Sequence, residues 1–175
     1  AKKYDSIWVT GNIGDSALGL KVLRKGLSFL PFSQKQYLIK RYRLPEPRIT
    51  FASEMYKFSN TCIDISDGIL SDISKLASTS KLKCNINITS IPLSKAVNLA
   101  VKNDKSFYNQ ILNGGDDYEL AFSSGSENDD LITHIGNEMG IKTTKIGYFS
   151  DGEGVELENL PDSLSRFPIS GYKHT

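Results

Sequence analysis

Three short segments gather the residue types that chemistry needs. In Cys62-Ile63-Asp64-Ile65-Ser66-Asp67-Gly68, carboxylates sit at the end of an apolar run. Alternate side chains of an extended strand share a face, so Asp64 and Ser66 point together while Ile63 and Ile65 enter the core. Asp67 then falls at the strand end, beside the next helix. Carboxylates gathered at a strand terminus suit Mg²⁺ held against phosphate oxygens, because hard cations select oxygen ligands. Ser66 or Asp67 can also simply cap the helix after Gly68. Asp64 has no capping role, and a buried carboxylate without a partner is costly. That favours function for this segment.

The second segment, Thr10-Gly11-Asn12-Ile13-Gly14-Asp15-Ser16, is a glycine-punctuated turn from a strand into a helix. Such turns let backbone approach a ligand, and free amides at a helix start favour anions. It lacks the Gly-Lys-Ser/Thr ending of a phosphate-binding P-loop and the glycine spacing of a dinucleotide fingerprint. The plainer interpretation is a helix capped by Asp15 or Ser16. The third segment, Asn113-Gly114-Gly115-Asp116-Asp117-Tyr118-Glu119-Leu120, is an acidic loop suited to a metal or a positively charged organic ring. Its plainer interpretation is a solvated turn, followed by Tyr118, Leu120 and Phe122 as core. His134 and His174 read as surface residues, and no Ser/His/Asp or Cys/His arrangement can be argued. The basic helix face at Lys35, Lys40, Arg41 and Arg43 reads as solvated, with a phosphate-facing role as the minority option.

The elements that must position these segments follow from periodicity. Strands are expected over Ile7–Thr10, Thr61–Ile65, Leu82–Thr89, Tyr118–Phe122 and Lys142–Phe149. Gly154–Leu157 reads as a hairpin partner folding back across Asp151-Gly152. Helices are expected from Asp15 to Gly26, over Ser33–Tyr42, Thr50–Lys57 and Ile69–Ala77, from Pro92 through Val101, and over Phe107–Leu112 and Asp129–Met139. Strands and helices interleave without a repeat or a low-complexity linker. The expected class is mixed α/β (α+β), one mixed sheet with packed helices, with residues 1–175 forming one domain.

Composition narrows the partners. The 175 residues are 39% hydrophobic and 23% charged, with Lys+Arg 21 against Asp+Glu 20 and a formal charge of +1. A nucleic-acid or anionic-membrane footprint would need clustered excess basic charge, so neither partner is expected. No apolar run approaches the roughly 18 residues of a spanning helix. The polar start at Ala1–Asp5 does not resemble a signal peptide. Two cysteines, Cys62 and Cys84, offer no disulfide framework, so a cytoplasmic location is expected.

Taken together, Thr10-Gly11-x-x-Gly14-Asp15-Ser16-Ala17-x-Gly19-Leu20, Asp64-Ile65-Ser66-Asp67-Gly68 and Gly114-Gly115-Asp116-Asp117-Tyr118-Glu119-Leu120 resemble the thiamine-monophosphate kinase family. Tyr37-Leu38-Ile39-Lys40-Arg41-Tyr42-Arg43-Leu44-Pro45-x-Pro47-Arg48 and Gly171-Tyr172-Lys173-His174 add to the likeness. The resemblance covers Ile7 to His174, and only the C-terminal domain of a two-domain enzyme. It implies the C-terminal fold of the aminoimidazole ribonucleotide synthetase-like superfamily. It also implies an absent N-terminal ATP/Mg²⁺ domain, and a homodimer in the full-length protein. The implied reaction is Mg²⁺-dependent in-line transfer of the ATP γ-phosphoryl group to thiamine monophosphate, giving thiamine diphosphate and ADP in thiamine diphosphate biosynthesis. No catalytic base is implied, because the acceptor is already an anionic phosphate oxygen. By motif, Asp64 and Asp67 are implied metal ligands, Ser66 an ATP contact, and Asp116 and Tyr172 substrate contacts. Asp116 stands where the family often has Glu. Two alternatives remain: another ATP-using enzyme of the superfamily, such as a purine-synthesis ligase, or a non-catalytic thiamine-phosphate-binding remnant.

Overall fold

The computed structural model describes residues 1–160, so Tyr172 and His174 lie outside the described residues. In chain order the strands are β1 (Ser6–Thr10), β2 (Thr61–Ile65), β3 (Lys83–Asn87), β4 (Glu119–Ser124), β5 (Thr143–Ser150) and β6 (Gly154–Glu158). The helices are α1 (Asp15–Leu23), α2 (Phe32–Arg43), α3 (Ile49–Ala52), α4 (Ile69–Ser80), α5 (Lys95–Asn103), α6 (Phe107–Asn113) and α7 (Asp129–Glu138). They form one mixed sheet, as the interleaved periodicity implies; its six strands lie in the order β2-β4-β1-β5-β3-β6.

The sheet is covered on both faces, which is why β1 is apolar at every core position. Ile7 and Val9 join the larger core with Leu18, Leu38, Ile73, Val97 and Ile111, drawn from α1, α2, α4, α5 and α6. Trp8 faces the other way, into a smaller aromatic core with Phe51, Phe58, Phe122 and Ile132. There Trp8 and Phe122 stack with centroids 6.5 Å apart. Period-2 alternation on a central strand thus feeds two cores. Cys84, Ile86 and Ile88 are all buried, as their alternation indicates.

Three local expectations are corrected. The strand β6 does not fold back onto β5; it pairs in parallel with β3, Lys83 opposite Gly154 and Asn87 opposite Glu158. β3 lies between the two, so the turn at 151–153 passes under the start of β3, where Gly152 runs close to the Lys83 side chain. α5 starts at Lys95 rather than at Pro92, because the Ser94 hydroxyl caps it by accepting from Val97 N. Pro92 instead lends its carbonyl to Ile13 N. β4 starts at Glu119, and Tyr118 is exposed with a positive φ rather than core.

The topology places the three candidate segments together. β1 and β2 flank β4 and run antiparallel to it. The ends of β1 and β2 therefore meet the start of β4 at one end of the sheet. No helix among the described residues is long and apolar enough to cross a membrane.

Candidate functional site

The three segments are stitched by backbone before any side chain contributes. Asp116 N donates to the Ser66 carbonyl and Tyr118 N to the Ile65 carbonyl, each at 2.9 Å. The acidic loop thus lies directly along the Ser66-Asp67-Gly68 turn. Asp116 and Tyr118 hold φ of 66° and 52° within three residues, a conformation costing non-glycine residues of order 1–3 kcal/mol each. Gly115 makes the approach possible, because a Cβ there would stand 1.9 Å from Ser66 O, a backbone atom that cannot turn aside. Gly115→Ala is therefore expected to part the two loops and destabilise the protein by about 1–3 kcal/mol, read from urea unfolding midpoints. A loss under a few tenths of a kcal/mol would show that the loops are not rigidly apposed.

The Gly11–Ser16 turn is tied in by a buried acid that the plainer interpretation of the third segment left in solvent. Asp117 is 1% exposed. Its Oδ2 accepts from Gly14 N at 2.6 Å and its Oδ1 from Ser16 N at 3.1 Å. It therefore caps α1 from another element, 103 residues along the chain. Neither expected cap acts as one. Gly14 occupies the cap position in the left-handed region, φ 85°. Asp15 accepts from Tyr37 Oη at 2.6 Å and from the Ser94 hydroxyl, and Ser16 Oγ has no partner. Burial pushes the Asp117 carboxyl up to about 7, against the pull of its two backbone donors. Burial also raises Asp15, and burial followed by the bond to Asp15 raises the Tyr37 hydroxyl.

Glu119 is 0% exposed and fully engaged. Oε2 accepts from Thr10 Oγ1 and Arg48 Nε, both at 2.7 Å. Oε1 accepts from Arg41 Nη2 at 2.9 Å and Arg48 Nη2 at 2.6 Å. Arg48 is thus a bidentate partner, a geometry only guanidinium supplies. The basic helix face is consequently not wholly solvated, since Arg41 turns inward and is buried.

The Ser66-Asp67-Gly68 turn has its own clamp. Asp72, 0% exposed, accepts from Ser66 N and Asp67 N through Oδ2, each at 3.0 Å. Its Oδ1 accepts from Lys75 Nζ at 2.6 Å, and the same ammonium donates to Asp67 Oδ2 at 2.6 Å. Asp72, an acid in the first turn of α4, thus fixes the turn ahead of the helix rather than capping it, and Gly68 stands at the cap position with no side-chain cap bond.

Asp64 requires a correction. It is exposed, because β2 is the sheet edge and its Asp64 face is left open, with Ile63 and Ile65 turned to the core. The burial argument for a functional Asp64 therefore fails; the residue stays a candidate only through the motif. Asp116 is also exposed and lines a cavity of about 630 Å³ with Lys21, Arg24, Tyr42, Gln110 and Asn113. Ser66, Asp67 and Asp64 do not line that cavity. Ser66, Asp67 and Asp116 are thus brought together by the loops, Asp64 is on the neighbouring open face, and Tyr172 is outside the described residues.

The donor type suits a hard cation, since carboxylate oxygen is what Mg²⁺ selects. The number is too small. Among the described residues no group of three or more His, Cys, Asp or Glu is placed to hold a metal. The chain presents a partial ligand set, with an ammonium already on Asp67. His134 is a surface residue, as expected, beside Glu138. Both cysteines are free thiols.

No family model matches the chain. It is 37% identical over 175 residues to the thiamine-monophosphate kinase of Buchnera aphidicola subsp. Schizaphis graminum, a match covering 99% of this chain and 54% of that protein. The crystal structure of the thiamine-monophosphate kinase from Stenotrophomonas maltophilia K279a superposes with a TM-score of 0.84 at 30% identity, covering 90% of this chain and 51% of that one. A solved complex of AaThiL with AMPPCP and TMP gives 0.79 at 30% identity, covering 100% and 52%. The chain therefore spans about half the length of the relatives it matches.

Proposed function

We propose that this chain, a homologue of thiamine-monophosphate kinases across about half their length, is the C-terminal domain of such an enzyme. The full-length protein would transfer the terminal phosphoryl group of ATP to thiamine monophosphate. The observation that carries this reading is the meeting of the Ser66-Asp67-Gly68 turn with the Gly115-Asp116 loop at one end of the sheet. It supports the reading because Asp116 N donates to the Ser66 carbonyl, so that a nucleotide contact at Ser66 and a cation contact at Asp116 would be neighbours. In the reaction a phosphate oxygen of thiamine monophosphate attacks the γ-phosphorus, the β–γ bridging P–O bond breaks, and ADP leaves with those electrons. The acceptor oxygen is already anionic, so the side chains need only bind and orient.

In this reading Ser66 contacts the nucleotide and Asp116 faces the permanently cationic thiazolium, which an exposed carboxylate on a strained loop is suited to recognise. Tyr172 would lie against the same ring. Asp64 and Asp67 would hold Mg²⁺ together with oxygens outside residues 1–160. Mg²⁺, when bound, neutralises the two polyanionic substrates as they meet. The remainder of the two-domain protein would supply most of the nucleotide site, and the full-length enzyme would be a homodimer. Free thiols at Cys62 and Cys84 suit a cytoplasmic setting.

Two substitutions in the full-length protein separate these roles. Asp116→Ala is expected to raise the KM for thiamine monophosphate at least tenfold while leaving the KM for ATP within about twofold, the loss of one charged contact of about 1.4 kcal/mol or more. Asp67→Asn is expected to depress kcat and raise the Mg²⁺ needed for half-maximal rate. Equal shifts in both substrates' KM values for Asp116→Ala, or an unchanged Mg²⁺ requirement for Asp67→Asn, would remove the corresponding assignment.

A further inference from the structure

Where α1 starts and α6 ends, two buried polar atoms have no hydrogen-bond partner among the described residues: Ser16 Oγ and Asn113 Oδ1. Ser16 is 1% exposed, and the fold uses its backbone N–H, which donates to Asp117, but not its hydroxyl. The Asn113 amide is fixed by its other end. Its Nδ2 donates to Asn109 O and Asn109 Oδ1, so the oxygen is the end left over. The two helices approach closely at Gly114, where a Cβ would stand 2.4 Å from that of Ala17. Ser16 and Asn113 both line the cavity of about 630 Å³ that Asp116 borders, a volume suited to one small organic molecule. A buried polar atom left unpaired costs stability, so two of them in one cavity wall mark a place where a ligand completes the bonding.

We infer that this cavity receives the aminopyrimidine ring of the thiamine phosphate, with Ser16 and Asn113 reading the polar edge of that ring. The inference rests on the proposed contact of Asp116 with the thiazolium. Asp116 is the one acid among the described residues that line the cavity, and Lys21 and Arg24 line it too. A cationic ring is therefore favoured at Asp116 and disfavoured beside the two basic groups. One methylene joins the thiazolium to the pyrimidine, so the neutral ring must lie next to the cationic one. Its edge carries a ring nitrogen that accepts, beside an exocyclic amine that donates. The cavity offers the complement, a hydroxyl free to donate and an amide oxygen that only accepts. Ala17, Leu20 and Tyr42 supply carbon surface for the faces of the ring. Ser16 and Asn113 thus set which ring is bound and take no part in phosphoryl transfer.

The test is steady-state kinetics of the full-length protein with thiamine monophosphate, together with competitive inhibition by oxythiamine monophosphate. In that analogue a carbonyl oxygen replaces the amine and the neighbouring ring nitrogen carries hydrogen. Wild type, Ser16→Ala, Asn113→Ala and Asp116→Ala would be compared. A site built around one donor and acceptor pattern rejects its inverse, so wild type is expected to bind the analogue at least about tenfold more weakly than the substrate. Ser16→Ala and Asn113→Ala are each expected to raise the KM for thiamine monophosphate about fivefold or more and leave that for ATP within about twofold. Each should also shrink the preference over the analogue to less than about threefold. Asp116→Ala should weaken both ligands alike, since they share the thiazolium. Thermal unfolding without ligand separates binding from structure: Ser16→Ala should melt no lower than wild type, because the hydroxyl removed has no partner in the fold. Unchanged KM and preference in Ser16→Ala and Asn113→Ala, with Asp116→Ala still weakening both ligands, would overturn the inference and leave the Asp116 contact standing. A lower melting temperature in Ser16→Ala with equal rises in both substrates' KM would make Ser16 structural and overturn it too. No effect of Asp116→Ala on either ligand would overturn the Asp116 contact and the inference together.

Discussion

Glu119→Gln is expected to destabilise the protein by about 3–5 kcal/mol, measured by urea unfolding at pH 7. The substitution keeps the side chain's size and removes its charge. Two guanidinium groups, Arg41 and Arg48, then remain in the fold facing an amide whose nitrogen offers a donor where they need an acceptor. Breaking a buried pair costs far more than the pair contributes, because the surviving charge stays desolvated. Both also reach the exposed Glu46, Arg41 at 3.5 Å and Arg48 at 3.6 Å, but Arg41 is the more buried of the two and the less able to turn toward solvent. The loss should therefore exceed that of Arg48→Met, which leaves Glu119 its bonds to Arg41 and Thr10. A cost below about 1 kcal/mol would mean that the arginines are solvated in the folded protein.

The network around Glu119 also marks where sequence reasoning stops. Strands β1, β4 and β5 were legible because apolar runs and alternation are local. Glu119 meets Arg41 across 78 residues and Thr10 across 109, and nothing local distinguishes such an acid from a solvated one. The same holds for Asp117, whose neighbours Gly114, Gly115 and Asp116 suggest an exposed turn. Its one local clue was the complementary need: a glycine at the cap of α1 leaves amides that some acid must satisfy. The pairing of β6 failed for a related reason. A tight turn favours a hairpin, but the partner is set by which strand already occupies the neighbouring place.

The candidate site was legible in its ingredients and only partly in its geometry. Ser66, Asp67 and Asp116 do come together, because antiparallel pairing of β2 with β4 leaves their flanking loops side by side. The exposure of Asp64 is not legible, because a strand five residues long gives no sign of being an edge and its apolar neighbours point to burial. Asp72 and Lys75 lie one turn apart on α4, a spacing visible in sequence. Their common partner, Asp67, was not visible, since the turn at Gly68 decides where that carboxylate points.

The second large effect is on pH dependence, and its sign follows from Asp117. Burial lifts this carboxyl from an ordinary 3.8 to about 7 in the folded protein. Between those values the folded chain holds a proton that the unfolded chain has released. Stability therefore falls as pH rises through that window, by up to about 1.4 kcal/mol per pH unit, and is level in this respect below pH 4 and above pH 7. Asp15 is raised by burial as well and adds in the same direction. The charges facing Asp117 from the turn and from β4, Asp15 and Glu119, are both acidic, so neither opposes the shift. Asp117→Asn removes the titrating group and keeps one acceptor for the α1 amides. Its stability should change less between pH 5 and pH 8 than that of wild type, and wild type should hold its largest advantage at pH 5. Parallel profiles from urea midpoints at the two pH values would place the Asp117 proton equilibrium outside this window. The consequence reaches the site, because Asp117 is the residue that ties the Gly11–Ser16 turn to the loop carrying Asp116. At pH 8 that tie is an anion among anions, fastened by two amides alone, and the loop should exchange its amide protons faster there than the intrinsic pH dependence explains.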